Sequence, residues 1–218
     1  MKKRIYQKFM EAFILLLLFA IFTVCVKTVD VQSVGPEDSM IGFAKFNTAV
    51  HNLAGVNLLW YNITDWLGLV PVIFAFGMAV LGFCQMISRR SLFKVDLSLL
   101  LLGTLYILVI GCYIFFEKCV INYRPVILGK NLEASYPSSH IMIAITILWS
   151  GLIVLQDYIK SKKTYNLFCI FFLSVIFITV FGRFISGVHW ATDIIGGLLI
   201  SAGLVNLYKT SYDIMLKR

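Results

Sequence analysis

Six apolar runs constrain this chain more than any other feature. They cover about residues 9–26, 67–88, 97–116, 141–159, 167–182 and 191–208, and each approaches the ~20 residues with which an α-helix crosses the hydrocarbon core of a bilayer. In that core every backbone N–H and C=O must be paired within its own segment, so such runs fold as helices. At 60% hydrophobic and 14% charged residues, the composition is that of an integral membrane protein. The expected fold is all-α, a bundle of six transmembrane helices forming one domain over residues 1–218. Lys2, Lys3 and Arg4 precede the first run as in a signal peptide, but Val24-Cys25-Val26-Lys27 replaces a small-residue cleavage site. The first run is therefore read as a retained span.

The net charge of +8 raises the question of nucleic acid. Placement of the charges answers it. Thirteen of the nineteen Lys and Arg fall on one side of the membrane: at the N-terminus, in the second-to-third and fourth-to-fifth loops, and at the C-terminus. Positive charge gathers on the cytoplasmic side, so both termini are expected inside and the remaining loops outside. The basic clusters read as topology signals that touch anionic lipid, with no nucleic-acid partner. The five cysteines are scattered, without disulfide or metal-ligand spacing, and read as packing residues.

The longest segment outside the runs, 28–65, lies on the outer side. Phe43, Phe46, Val50 and Leu53 recur there at helical spacing, which predicts a short amphipathic helix on the membrane surface between spans one and two. Trp60, Tyr61 and Trp66 follow, as in an interfacial aromatic belt. His51 is read as structural.

Two further outer segments carry the polar chemistry. One holds Glu117, Lys118, Arg124-Pro125 and Pro137-Ser138-Ser139-His140. The other holds Arg183, His189 and Asp193. Charged groups at a membrane boundary are expensive and call for a reason. Arginines hold phosphate oxygens through a planar fork of donors, and Lys118 adds a point charge. Ser138 and Ser139 open a helix whose free N–H groups favour an anion. Two histidines suit two jobs, attack on phosphorus and protonation of the leaving oxygen. Asp193, four residues after His189, meets it if the segment is helical and sets its tautomer. Any one of these residues is most simply a cap or an interface residue, but the set on one face points to phosphate handling without a metal or other cofactor.

These residues resemble the type-2 phosphatidic acid phosphatase superfamily, which shares its site with vanadium haloperoxidases. The third family motif is Ser-Arg, five residues, His, three residues, Asp. It stands here as Gly182-Arg183 … His189 … Asp193 with the spacing intact. The second, Pro-Ser-Gly-His, stands as Pro137-Ser138-Ser139-His140. The first, Lys, six residues, Arg-Pro, stands one residue short as Lys118 … Arg124-Pro125, with Glu117 in the family's Lys position. The resemblance covers about residues 60–208. It implies a metal-independent lipid phosphatase in the cell membrane. His189 would be the nucleophile that forms a phosphohistidine, Asp193 its orienter and His140 the acid and base. Arg124, Arg183, Lys118, Ser138 and Ser139 would hold the phosphoryl group. The implied substrates are lipid phosphates or diphosphates such as undecaprenyl diphosphate, phosphatidylglycerophosphate or phosphatidate, with recycling of a cell-wall lipid carrier the first expectation. A phosphotransferase built on the same site and a non-catalytic lipid-phosphate binder are the alternatives. A transporter would instead place its polar groups at mid-membrane on broken helices.

Overall fold

The computed structural model describes the backbone of residues 2–216 and the side chains of 6–216. The side chains of Lys2, Lys3 and Arg4 and the whole of Lys217 and Arg218, which contribute to the charge reading, lie outside the described residues. Among the described residues eight α-helices carry the fold: α1 (Lys2–Thr28), α2 (Ala44–Ala54), α3 (Leu58–Leu67), α4 (Leu69–Arg89), α5 (Leu97–Lys118), α6 (Ser139–Tyr158), α7 (Lys162–Ile185) and α8 (Ala191–Leu216). A two-residue ribbon, β1 (Gln32–Ser33) against β2 (Met40–Ile41), is the only sheet among them.

Six stretches are long and apolar enough to cross a membrane, so the chain is a multi-pass membrane protein. The spans run beyond the apolar runs at one end or both, because a helix continues into the interface after its hydrophobic stretch stops. The second differs most: α3 and α4 together cover Leu58–Arg89, 32 residues. At 1.5 Å per residue that is ~48 Å, against ~30 Å of hydrocarbon, so the pair is longer than one crossing needs. Pro71 cannot donate to the Leu67 carbonyl, and the helix is interrupted at Gly68. Trp60, Tyr61 and Trp66, read as an interfacial aromatic belt, lie on α3. Asn57 caps that helix, accepting from Leu59 N at 3.1 Å and Trp60 N at 3.2 Å.

α6 and α8 form the centre of the bundle. α8 packs on α1, α5 and α6, and α6 also meets α4 and α7. Gly197 permits their close approach, since a Cβ there would stand 3.1 Å from the Ser138 carbonyl and 3.2 Å from Ile141 Cβ. The buried apolar residues form two clusters. The larger includes Leu102, Met142, Val154 and Leu204, and the smaller joins Leu148 and Leu152 to Phe172 and Val175. Large apolar side chains such as Phe83, Ile107 and Phe177 point outward, where lipid solvates them.

The helix expected between spans one and two is present as α2, with its polar side inward. Asn47 is buried and Phe46 and Leu53 are exposed, while Phe43 precedes the helix and stacks on Phe22. Asn47 caps α8 from outside that helix. Its Oδ1 accepts from Thr192 N at 3.1 Å, and its Nδ2 donates to Thr192 Oγ1 at 2.9 Å. The apolar residues thus face lipid, and the polar one satisfies a helix end that would otherwise be orphaned. All five cysteines are free. Cys25, Cys112 and Cys169 are half-buried packing residues, whereas Cys84 and Cys119 are exposed.

Candidate active site

The polar residues of the two outer segments meet at one end of the bundle, where α5 ends, α6 begins, α7 ends and α8 begins. The segment between α5 and α6 is a hairpin-like strap. Arg124 N donates to the Glu133 carbonyl and Ser135 N to the Asn122 carbonyl, both at 3.0 Å. Trp190 Nε1 ties the strap down by donating to the Tyr123 carbonyl at 2.8 Å. Ser138 N, just before α6, donates to the Asp193 carbonyl at 3.0 Å. The start of α6 is thereby fixed against the first turn of α8.

His189 does not share a helical face with Asp193, as the four-residue spacing suggested. It sits in the turn between α7 and α8, and the helix starts at Ala191. Asp193 instead reaches back from the first turn. Its Oδ2 accepts from Trp190 N at 2.9 Å, the side-chain half of a capping box, and lies 3.6 Å from His189 Nδ1. That is too long for a direct hydrogen bond but close enough for strong electrostatic coupling in a buried site. Asn122 Nδ2 lies 3.5 Å from the other oxygen. The turn depends on Gly187, which has φ +66° and whose missing side chain leaves room for the Gly55 backbone.

His189 is buried, with its side chain 2% exposed. Burial, reinforced by Arg124 and Arg183, holds its pKa well below the ordinary 6.5, opposed only by the Ser135 backbone. A neutral imidazole near pH 7 is a nucleophile with a free lone pair.

The two arginines hold cationic forks beside it. Arg183 has a fully buried side chain. Its Nη2 donates to Asp65 Oδ1 at 3.2 Å, and its Cζ lies 5.1 Å from the Tyr61 ring centroid. Its Nε and Nη1 are buried without hydrogen-bond partners. Arg124 Nε lies 3.1 Å from Glu133 Oε2, an ion pair not aligned as a hydrogen bond, and its buried Nη1 has no partner. His140, in the first turn of α6, places Nε2 3.2 Å from Asp65 Oδ1. Ser138 Oγ is likewise buried without a partner. Buried donors are rarely left unpaired in a protein, and here they gather around the two imidazoles. That donor set suits an oxyanion.

Two neighbouring cavities, which share Tyr113, Glu117, Ala134 and Ser139 as lining, reach the two imidazoles and Arg124. One, about 660 Å³, is lined by Arg124, Lys130, Glu133, Ser139 and His140. The other is a crevice of about 10 Å³ bounded by Tyr113, Phe116, Ser135, Pro137, Ser139 and His189. Ser139 lines both, consistent with a side chain in the family's Gly position. Lys118 stands apart from the set. It is exposed at the end of α5 and lines neither cavity, whereas Glu117 lines both. One residue turns a helix by ~100°, so the shortened first motif exchanges the two side chains. Sequence reasoning also missed Asp65, Asn122, Ser135 and Asn47. Asp65 carried a readable signal, a lone carboxylate beside a membrane span.

Residues 105–214 match the sequence profile of the PAP2 superfamily. The chain belongs to that superfamily. It is a membrane phosphatase by family, and the matched segment contains both histidines, both arginines and Asp193. Its fold is similar to the crystal structure of a transmembrane PAP2-type phosphatidylglycerolphosphate phosphatase from Bacillus subtilis. The TM-score is 0.63 and the identity 18%, over 95% of this chain and 98% of that one. No curated protein matches the chain.

Proposed function

We propose that this PAP2 protein hydrolyses a lipid phosphate by two displacements at phosphorus. The observation that carries this reading is the convergence, from two chain segments, of two imidazoles with the buried Arg183 and the half-buried Arg124, whose buried donors are left unpaired. In the first step His189 attacks phosphorus through Nε2, forming N–P as the P–O bond to the lipid breaks. His140 gives its proton to the departing oxygen. In the second, water attacks the phosphohistidine and the N–P bond breaks as His140 takes a proton from the water. Arg124 and Arg183 hold the equatorial oxygens and balance the charge that spreads over them, and Ser138 and the start of α6 add donors. Asp193 supports the positive charge that develops on His189. Lys118 reaches the phosphoryl group only if the end of α5 turns.

The substrate class is a lipid monophosphate or diphosphate. The cavity beside His140 is lined by Tyr113 and Glu117 at the end of span three, so a headgroup entering there would stay joined to a tail lying against the bundle. The charge asymmetry supports an extracytoplasmic site with both termini in the cytoplasm. The test is phosphate release by the purified protein in detergent with EDTA. The panel is phosphatidate, phosphatidylglycerophosphate and undecaprenyl diphosphate, each run beside His189→Ala. Release that disappears in the variant and persists in EDTA supports the reading. Release from none of the lipids refutes it.

A further inference from the structure

Asp65 lies outside the three motifs, on α3, and yet its half-exposed carboxylate bridges two residues of the site. One oxygen, Oδ1, is 3.2 Å from His140 Nε2 and 3.2 Å from Arg183 Nη2. Two glycines make this possible. Gly182, in the family's Ser position, leaves the space that Thr64 Cγ2 and the Trp60 ring occupy, so α3 lies directly on α7 beside Arg183. Gly68 lets the Cδ2–Nε2 edge of His140 rest against the α3–α4 junction, where a Cβ would stand 3.1 Å from Cδ2.

The two histidines are held in complementary ways. His189 faces its carboxylate, Asp193, through Nδ1, leaving Nε2 for chemistry. His140 faces Asp65 through Nε2, and its Nδ1 is buried without a hydrogen-bond partner. A neutral imidazole carries one proton. A carboxylate at Nε2 keeps that proton on Nε2 and leaves the lone pair, or the transferable proton of the imidazolium, on Nδ1.

We propose that Asp65 is the positioning residue of His140, fixing its tautomer and supporting its cationic form so that Nδ1 passes protons to and from the reacting oxygens. This role rests on the phosphatase reading above. Arg183 from α7, Arg124 from the strap and His189 from the α7–α8 turn surround His140, and the two guanidinium charges stand close to its imidazole. Across the cavity stand Glu117, Lys130 and Glu133, of which Glu133 is paired with Arg124. Asp65 is the carboxylate in contact with His140, and it offsets the cations there.

The test compares Asp65→Asn with the wild-type full chain in detergent on two monoesters. Phosphatidate has an alkoxide leaving group that needs a proton. p-Nitrophenyl phosphate has a leaving group that departs without one. The expected result is a fall in kcat/KM, which reports the leaving-group step and not the hydrolysis of the phosphohistidine common to both substrates, of ~10²-fold or more for phosphatidate and under ~10-fold for p-nitrophenyl phosphate. The alkaline limb of the phosphatidate kcat profile moves to lower pH, and Asp65→Glu restores part of the rate. In a His140→Asn background, Asp65→Asn adds little. Retained p-nitrophenyl phosphate hydrolysis shows that the variant is folded. Equal losses of kcat/KM on both substrates, or no loss, overturn the proposal. So does a lower KM at unchanged kcat, which makes Asp65 a competitor for the phosphoryl group. If p-nitrophenyl phosphate is hydrolysed through His189 but phosphatidate is not, a second monoester, phosphatidylglycerophosphate, takes its place. Failure of wild type on every substrate sinks the phosphatase reading itself, and this role with it.

Discussion

Gly182→Ala tests how closely the site depends on the contact between α3 and α7. The new methyl would overlap Thr64 Cγ2 and stand 3.1 Å from Trp60 Cε3. Thr64 cannot swing aside cheaply. It is buried, and its hydroxyl donates to the Trp60 carbonyl at 2.8 Å and the Tyr61 carbonyl at 3.0 Å. Restoring ordinary contact requires α3 to retreat by ~1 Å, and overpacking of this kind costs about 1–3 kcal/mol. Alanine gains about 0.5–1 kcal/mol over glycine in a helix, so the clash wins. Asp65 follows Thr64 in the chain, so the retreat carries Oδ1 beyond hydrogen-bond reach of both Arg183 and His140. A ~1 Å misplacement of this kind lowers kcat by ~10²-fold. The assay is phosphate release together with thermal unfolding in detergent. Thr64→Ser removes Cγ2 and keeps the hydroxyl, so the Gly182→Ala/Thr64→Ser double variant should recover both stability and rate. A double variant no better than Gly182→Ala, or a single variant indistinguishable from wild type, refutes the reasoning.

The other predictions concern the imidazoles and the cations. His189→Ala should abolish turnover, and acid-labile phosphoenzyme should be trapped from wild type and not from the variant. Asp193→Asn keeps an acceptor for Trp190 N and loses the charge beside His189, so kcat should fall by ~10²–10⁴-fold with little change in melting temperature. Asp193→Ala should lose the cap as well, a further ~0.5–2 kcal/mol. His189 binds its proton less readily in the folded protein than in the unfolded chain. Its contribution to stability is therefore complete above ~6.5 and declines as pH falls below that value, by up to ~1.4 kcal/mol per pH unit; melting curves of wild type against His189→Asn from pH 8 to 5 check the sign. Lys118→Ala should change kcat/KM by less than ~3-fold, while Lys130→Ala, which alters the wall of the larger cavity, should raise KM.

The order of the six spans and the three motifs was legible in the sequence because both are local. An apolar run must pair its backbone within itself, so length and hydropathy alone imply a helix. Gly182-Arg183, His189 and Asp193 are separated by a few residues whose turn chemistry sits in the same stretch, and Gly187 supplies the positive φ that the stretch needs. The boundaries were less legible, since a helix such as α3–α4 continues past the hydrocarbon where no apolar signal marks its end. The His189–Asp193 contact was found by its spacing, but the arrangement is a capping turn, because the start of α8 depends on what caps it.

Tertiary structure alone decided which carboxylates meet which cations. Asp65 precedes Arg183 by 118 residues and Glu133 follows Arg124 by nine, and no periodicity relates either pair. Their meeting depends on how closely helices pack, and that is set by single missing side chains at Gly182, Gly68 and Gly197. Asn47 on α2 caps α8, which starts 144 positions later, for a similar reason. A buried helix end must be satisfied by whichever donor or acceptor the fold brings to it. The sequence by itself determined a membrane helical bundle with a phosphate-handling set at one end. The packing of α3 on α7 determined how His140 is oriented within it, because hydrogen-bond geometry is fixed by distances that only the folded backbone defines.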